Sequence, residues 1–430
     1  VNSGTRRPRI VAVVAAAALL VGAAACGKDD PAPTAGGSTV APSANTTVPP
    51  LPDAQSNPAY SQPTDPFYLP PNPLPAGKPG DIIRTEPMPG APAGSTATKV
   101  LYHSTSVSGQ DIAVSGFVVV PDTPAPEGGR PVVTWAHPTT GVVDACAPSL
   151  SPLGFSTIGG LAPLLQAGYV VAATDYEGLG TPGVHPYLVG DSQGRGVLDA
   201  ARAAASLPEA SASKKVAVWG WSQGGQASLF AGQLASTYAP DLQVVGVAAA
   251  APAGELATLL SDDIDTTSGI ILAAYALNAY QYVYASSTPG LDANALLTPA
   301  GQQAVPEIVK LCDLTQSQQL QAIATPLING FVTVNPSTTP PWPDLLAANT
   351  PGGFPIPAPV LIAQGDADPL VIPSTTATLA QNLCARSDTV ELKTYPGAVH
   401  TNIAFVSADD VVAWIGSRFA GQPAPSTCSP

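Results

Sequence analysis

The chain has 430 residues, 45% of them hydrophobic, with a positive mean hydropathy of +0.19, which suffices for one large core or two ordinary ones and excludes a disordered protein. Its formal net charge of −14 and isoelectric point near 4.5 set it against phosphate, which argues against nucleic-acid partners and against anionic lipid headgroups.

The first elements concern export. Arg6, Arg7 and Arg9 precede the uncharged run "IVAVVAAAALLVGAAA" from Ile10 to Ala25, which is too short and too alanine-rich for a membrane span and reads as a signal peptide over residues 1–25. Cys26 follows "AAA", a pattern that resembles a bacterial lipobox with Ala23 where leucine or valine is usual, so lipidation at Cys26 is expected. Residues 26–66 are rich in Pro, Ala, Thr and Ser with almost no large apolar side chain, and read as a flexible tether.

Globular sequence starts near "DPFYLPP". "GDIIRTEP", "ATKVLYHSTS" and "DIAVSGFVVVP" read as strands, with "VSGQDI" as a hairpin connection. "RPVVTWAHP" and "GYVVAATDYEG" are short apolar runs of the kind that fill buried parallel strands. Then "GVLDAARAAASLP" predicts a helix, "KKVAVWG" a strand, "QASLFAGQLASTYA" a helix and "LQVVGVAAAAP" a strand. Strand and helix alternate again in "APVLIAQGD", "STTATLAQNLCAR", "TVELKTYPG" and "ADDVVAWIGSRFAG". An antiparallel lead-in followed by strand and helix units predicts an α/β fold with a mostly parallel sheet, its core formed by residues 67–251 and 358–430. Between them, residues 252–357 are helix-like without a clear strand and read as a helical cap or lid. No internal repeat is evident.

The pattern G-x-S-x-G occurs twice, as "GDSQG" around Ser192 and "GWSQG" around Ser222. A nucleophile elbow needs a buried strand before the serine and a buried helix after it. Ser222 follows "KKVAVW" and precedes the uncharged "GGQASLFAGQLAS", whereas Ser192 follows "HPYLV" and leads into Arg195, Asp199 and Arg202. Ser222 is therefore the expected nucleophile, and Ser192 the first turn of a surface helix capped by Asp191 or Ser192. A serine needs a base, and the base an orienting acid. Of His103, His137, His185 and His400, only His400 follows Ser222, and the order Ser, acid, His makes it the base. The acid falls in "QGDADPLV", where Asp368 is favoured and Asp366 is read as stabilising the turn. For the oxyanion, the backbone N–H of Gln223 is one expected donor, and Thr139 or Thr140 in "HPTTG" supplies the other. His137 is read as shaping that loop.

Four further cysteines, Cys146, Cys312, Cys384 and Cys428, suit two disulfides in an exported chain, for which three pairings exist. Because Cys384 and Cys428 both lie in the last fifth of the chain, Cys146 with Cys312 and Cys384 with Cys428 is the favoured pairing.

Taken together, "DPFYLPP", "HPTTGVVDACAPS", "TDYEGLGTPGVHPYLVG", "GRGVLDAARA", "WGWSQGGQA", "GDADPLV" and the "GAVH" loop resemble the secretory lipase family, the lipase A-like branch of the α/β-hydrolases. The resemblance spans nearly everything after the tether. It implies an α/β-hydrolase fold, a triad of Ser222, Asp368 and His400, a helical cap over an acyl pocket, and the same two disulfides. It places the second oxyanion residue at Thr140; Pro138 departs from the family's common "HGTTG". Lys310 is the only basic residue from Pro252 to Pro357, leaving little there to pair with an acidic substrate. The uncharged "GIILAAYALNAYQYVYA" either lines an acyl groove or is a plain buried helix. The expectation is an exported serine ester hydrolase acting on neutral esters, a lipase or lipid esterase. An acyltransferase, a peptidase or a non-catalytic surface lipoprotein are the alternatives. No metal or organic cofactor, a monomer, and membrane contact only through a lipid anchor complete the reading.

Overall fold

The computed structural model describes residues 63–429. The expected signal segment, Cys26 and all but the end of the expected tether lie outside the described residues. Near the start of the described residues, Asp65 Oδ1 accepts from the Phe67 N–H at 2.9 Å.

Nine strands form one sheet: β1 (Ile82–Pro87), β2 (Ser95–Thr105), β3 (Asp111–Pro121), β4 (Arg130–Ala136), β5 (Val170–Thr174), β6 (Ala212–Trp221), β7 (Gln243–Ala250), β8 (Val360–Gly365) and β9 (Val390–Tyr395). Their spatial order is β1-β2-β3-β5-β4-β6-β7-β8-β9. The first three strands and the β3/β5 junction are antiparallel, and every pair from β5 to β9 is parallel. Gly109, at φ 81°, turns β2 into β3 in the left-handed region that favours glycine.

The period-2 direction of strand side chains divides the core into two layers. Val216 and Val218 of β6 join the cluster beneath helices α1 (Gly190–Ser206) and α2 (Gln223–Tyr238), while Ala217 and Trp219 join the opposite one. Each fully buried large apolar side chain of this kind contributes about 1.5–3 kcal/mol. Trp219 also satisfies its indole N–H on the Gly159 carbonyl at 2.9 Å.

Between β7 and β8 the chain forms α3 (Leu256–Asp263), α4 (Thr267–Tyr284), α5 (Pro299–Ile308), α6 (Asp313–Ala324) and α7 (Trp342–Ala348). These helices bury their own apolar cluster, which reaches Val142, Tyr187 and Val189 of the sheet domain's loops. The sheet units resume with α8 (Pro373–Ala385) and α9 (Ala408–Phe419). Disulfides join Cys146 to Cys312 and Cys384 to Cys428; the first ties the loop after β4 to the start of α6.

The helix after the first G-x-S-x-G is not a surface helix, and neither Asp191 nor Ser192 caps it. Val189 is the N-cap residue and no side chain caps the turn. Ser192 is buried and donates to Glu177 Oε2 at 2.5 Å. The charges that suggested a solvated face instead form buried or half-buried contacts: Asp199 accepts from Ser104, Tyr238 and Arg202, and Arg195 donates to the Ser106 carbonyl. The glycines have their own reason. Four residues apart, Gly190 and Gly194 share one helix face, and a Cβ there would lie 2.2 Å from the Phe230 ring and 2.9 Å from the Ala231 nitrogen. "GDSQG" is thus a small-residue seat for α2.

Candidate active site

Ser222 sits on the turn from β6 to α2 with φ 60° and ψ −117°, a strained conformation for a residue with a Cβ. Its own backbone pins the turn: the N–H donates to Ala250 at 2.9 Å, and the carbonyl accepts from Gln226 and Ala253, each at 3.1 Å. The flanking glycines are steric necessities. A Cβ on Gly220 would lie 2.2 Å from the Gly224 carbonyl oxygen, and one on Gly224 would lie 1.8 Å from that of Ala136.

His400, in the loop after β9, places Nε2 at 2.9 Å from Ser222 Oγ and donates from Nδ1 to Asp368 Oδ2, also at 2.9 Å. Asp368 follows β8, and its Oδ1 accepts the N–H groups of Leu370 and Val371, each at 2.9 Å. Gln364 reaches Oδ2 at 3.5 Å and is itself held by the Val371 carbonyl and the Thr376 hydroxyl. All three side chains are nearly buried: Ser222 is 9%, His400 8% and Asp368 3% exposed. An imidazole so placed can take the serine proton while the carboxylate fixes its tautomer and stabilises the imidazolium. Asp366 lies apart from this line and accepts the Gly397 N–H at 2.6 Å, bracing the loop after β9.

Gln223 opens α2, so its backbone N–H has no intrahelical acceptor. Facing it is the loop after β4. The Thr139 hydroxyl is engaged by Tyr187 at 2.7 Å, whereas Thr140 is fully buried and its hydroxyl has no hydrogen-bond partner among the described residues. His137 is buried against Tyr176 and its Nδ1 donates to the Pro138 carbonyl at 2.6 Å; burial lowers its pKa to about 4. Asp175 of "DYEGLG" anchors Ser149 of "CAPS" and Ser115, with its pKa raised to about 6 by burial. These two motifs therefore build the support under the loop.

Sequence reading gave no role to several residues here. His185 is fully buried, donates from Nδ1 to the Glu177 carbonyl at 2.8 Å and accepts the Gln223 side-chain amide at 3.0 Å; burial depresses its pKa to about 3. The Trp221 ring lies 5.9 Å from that of His400. The sequence signal for His185 was only its place in the "GVHPYLVG" segment.

Ser222 lies where two cavities meet. One, of about 640 Å³, is walled by Leu256, Leu259, Leu260, Leu272 and Ala276, with Asp263 among its few polar residues. The other is an open cleft of about 1130 Å³ bordered by Trp221, His400, Thr401, Ser317 and Leu314. The uncharged helix α4 both lines the first cavity, through Leu272, Ala273 and Ala276, and buries Ile270, Tyr275 and Tyr280 among the other helices.

Residues 157–333 and 346–427, more than half of the chain, match the family model described as "Secretory lipase". Among related proteins, a probable inactive lipase, MT1628, of Mycobacterium tuberculosis strain CDC 1551 is 28% identical over 387 residues, covering 84% of this chain and 82% of its own. Lipase A of Arthroderma benhamiae is 27% identical over 406 residues, covering 88% and 84%. The fold is that of Candida antarctica lipase A, with a TM-score of 0.70 at 20% identity over 88% of this chain and 89% of that one. With its α/β-hydrolase sheet, this serine ester hydrolase belongs to the secretory lipase family.

Proposed function

We propose that the protein hydrolyses neutral lipid esters through Ser222 as nucleophile, His400 as base and Asp368 as orienting acid. The observation that carries this is the unbroken hydrogen-bonded line Ser222–His400–Asp368 at the mouth of a leucine-lined cavity. Ser222 Oγ attacks the ester carbonyl as its proton passes to His400 Nε2, and the oxyanion is met by the Gln223 N–H and the free hydroxyl of Thr140. His400 then protonates the departing alcohol, and the acyl-enzyme is resolved by water that gives its proton to the same nitrogen. Thr140 is preferred to Thr139 because the latter's hydroxyl is already engaged.

The narrow cavity takes the acyl chain and the wider cleft the alcohol portion. Acidic substrates are disfavoured because the one basic residue of 252–357, Lys310, is paired with Glu307 at 2.9 Å. Exposed Leu314 lies on the cleft wall, and exposed Phe405 has its ring 5.9 Å from that of Trp221, which lines the cleft; this favours an ester presented at a lipid surface. Helices α3 to α7 serve as the cap, and the protein acts after export. The relative named as probably inactive makes the opposite outcome specific. Turnover of nitrophenyl esters should rise from acetate to medium chains and extend to emulsified triacylglycerol; folded protein that cleaves none of them overturns the proposal.

A further inference from the structure

The apolar cavity beside Ser222 contains one group that does not belong in a plain hydrocarbon channel. Asp263, the last residue of α3, is half-buried on its wall, among Leu259, Leu260 and Leu272. Its carboxyl makes no hydrogen bond or ion pair with any described residue, although its backbone carbonyl is used by Thr266 at 2.8 Å. The other polar side chains on that wall are engaged: Ser222 with His400, Tyr187 with Thr139, and Tyr280 with the Leu188 carbonyl. Gln223 donates to His185, and its Oε1, unpartnered among the described residues, is closed off from the cavity. Among the described residues, the unmatched polar group open to the cavity is therefore an acceptor, the Asp263 carboxyl.

A carboxyl covered by an alkyl chain loses water and gains nothing, whereas one that meets a hydroxyl recovers a hydrogen bond. We propose that Asp263 makes this cavity selective for acyl chains bearing a hydrogen-bond donor, a hydroxyl above all, over plain alkyl chains of equal length. The inference rests on the assignment of this cavity to the acyl chain. Burial, together with the charges of Asp262 and Asp368, raises the Asp263 pKa to about 7. Near neutrality the group is thus available both as carboxylic acid and as carboxylate, and a ligand hydroxyl, being donor and acceptor, complements either form. A carboxylate-bearing chain would meet repulsion from Asp262, Asp263 and Asp368.

The test compares kcat/KM for nitrophenyl octanoate with a positional series of hydroxyoctanoate esters, in the full chain and in its Asp263→Leu and Asp263→Asn variants. For at least one hydroxyl position the ratio of hydroxylated to plain ester should fall about tenfold in Asp263→Leu, the loss of a hydrogen bond to a carboxyl. Asp263→Asn should keep most of the preference, because its amide can still accept. The ratio is taken within each variant, so partial misfolding, which affects both esters alike, does not mimic the result. Ratios unchanged by Asp263→Leu at every hydroxyl position overturn the inference while leaving the ester hydrolase reading standing. Wild-type protein that cleaves no ester and takes no fluorophosphonate at Ser222 overturns both.

Discussion

Gly224→Ala should damage stability and activity together, for a reason visible in the elbow's geometry. The added methyl would lie 1.8 Å from the Ala136 carbonyl oxygen, 2.4 Å from its carbon and 2.7 Å from the His137 carbonyl oxygen. All three atoms are backbone, so no rotamer change can make room. Ala136 is fixed by its pairing with Gly220 across β4 and β6, which leaves outward movement of α2's first turn as the main relief. Overpacking that side chains can absorb costs about 1–3 kcal/mol, and a backbone clash belongs at or above the top of that range. The displaced turn carries Ser222 and the Gln223 N–H, and misplacement by about 1 Å lowers turnover roughly 100-fold. Urea unfolding followed by tryptophan fluorescence and hydrolysis of a nitrophenyl ester measure the two effects. Gly353→Ala, where a methyl meets nothing within 4 Å, is the matched control and should leave both near wild type. A Gly224→Ala protein with wild-type midpoint and kcat would refute the steric account of the motif.

Asp368→Asn should lower kcat by about 10⁴ by disturbing the imidazole tautomer, while Asp366→Asn should retain activity and lose about 1 kcal/mol of stability with its bond to Gly397; the reverse pattern in steady-state kinetics would exchange their roles. His185 is held neutral, with a folded pKa of about 3 against about 6.5 when unfolded. Its contribution is therefore complete above pH 6.5 and is lost as pH falls toward the folded pKa. Between about pH 7 and 4.5 the wild type should lose roughly 2–3 kcal/mol more than His185→Gln, measured by urea unfolding at each pH. The Cys146–Cys312 bridge closes a longer loop than Cys384–Cys428, with a sequence separation of 166 against 44. Its removal by paired serine substitutions should cost about 1 kcal/mol more in the chain-entropy account. It should also reduce kcat more, because the bridge holds the Thr140 loop against α6, where Asp313 donates to the Thr140 carbonyl at 2.8 Å.

Where the placement of residues depends on local pattern, the sequence is readable. Strands β4 to β8 are short apolar runs because both their faces are covered, and the order of Ser222, Asp368 and His400 follows from successive strand ends on one edge of a parallel sheet. The residues that escaped reading act through contacts distant in sequence. Gly190 and Gly194 mimic a nucleophile motif because close packing of two helices and an elbow both demand small residues at a spacing of four. Arg195, Asp199 and Arg202 carry charge at helical spacing, yet beyond the Asp199–Arg202 pair they bond to Ser104 of β2, the Ser106 carbonyl just after it and Tyr238 at the end of α2. Asp263 sits in "SDDID", a stretch with no motif to single it out, and only the fold of α3 and α4 over Ser222 places it on the cavity wall. His185 precedes Ser222 in the chain and meets Gln223 only in three dimensions.

The most direct measurement of the central claim is the site of modification by a fluorophosphonate, mapped by peptide mass spectrometry on the intact folded protein. A single adduct is expected on Ser222, abolished by denaturation, strongly slowed by His400→Ala and unaffected by Ser192→Ala. An adduct on Ser192, or none on Ser222 in folded protein, would contradict the account.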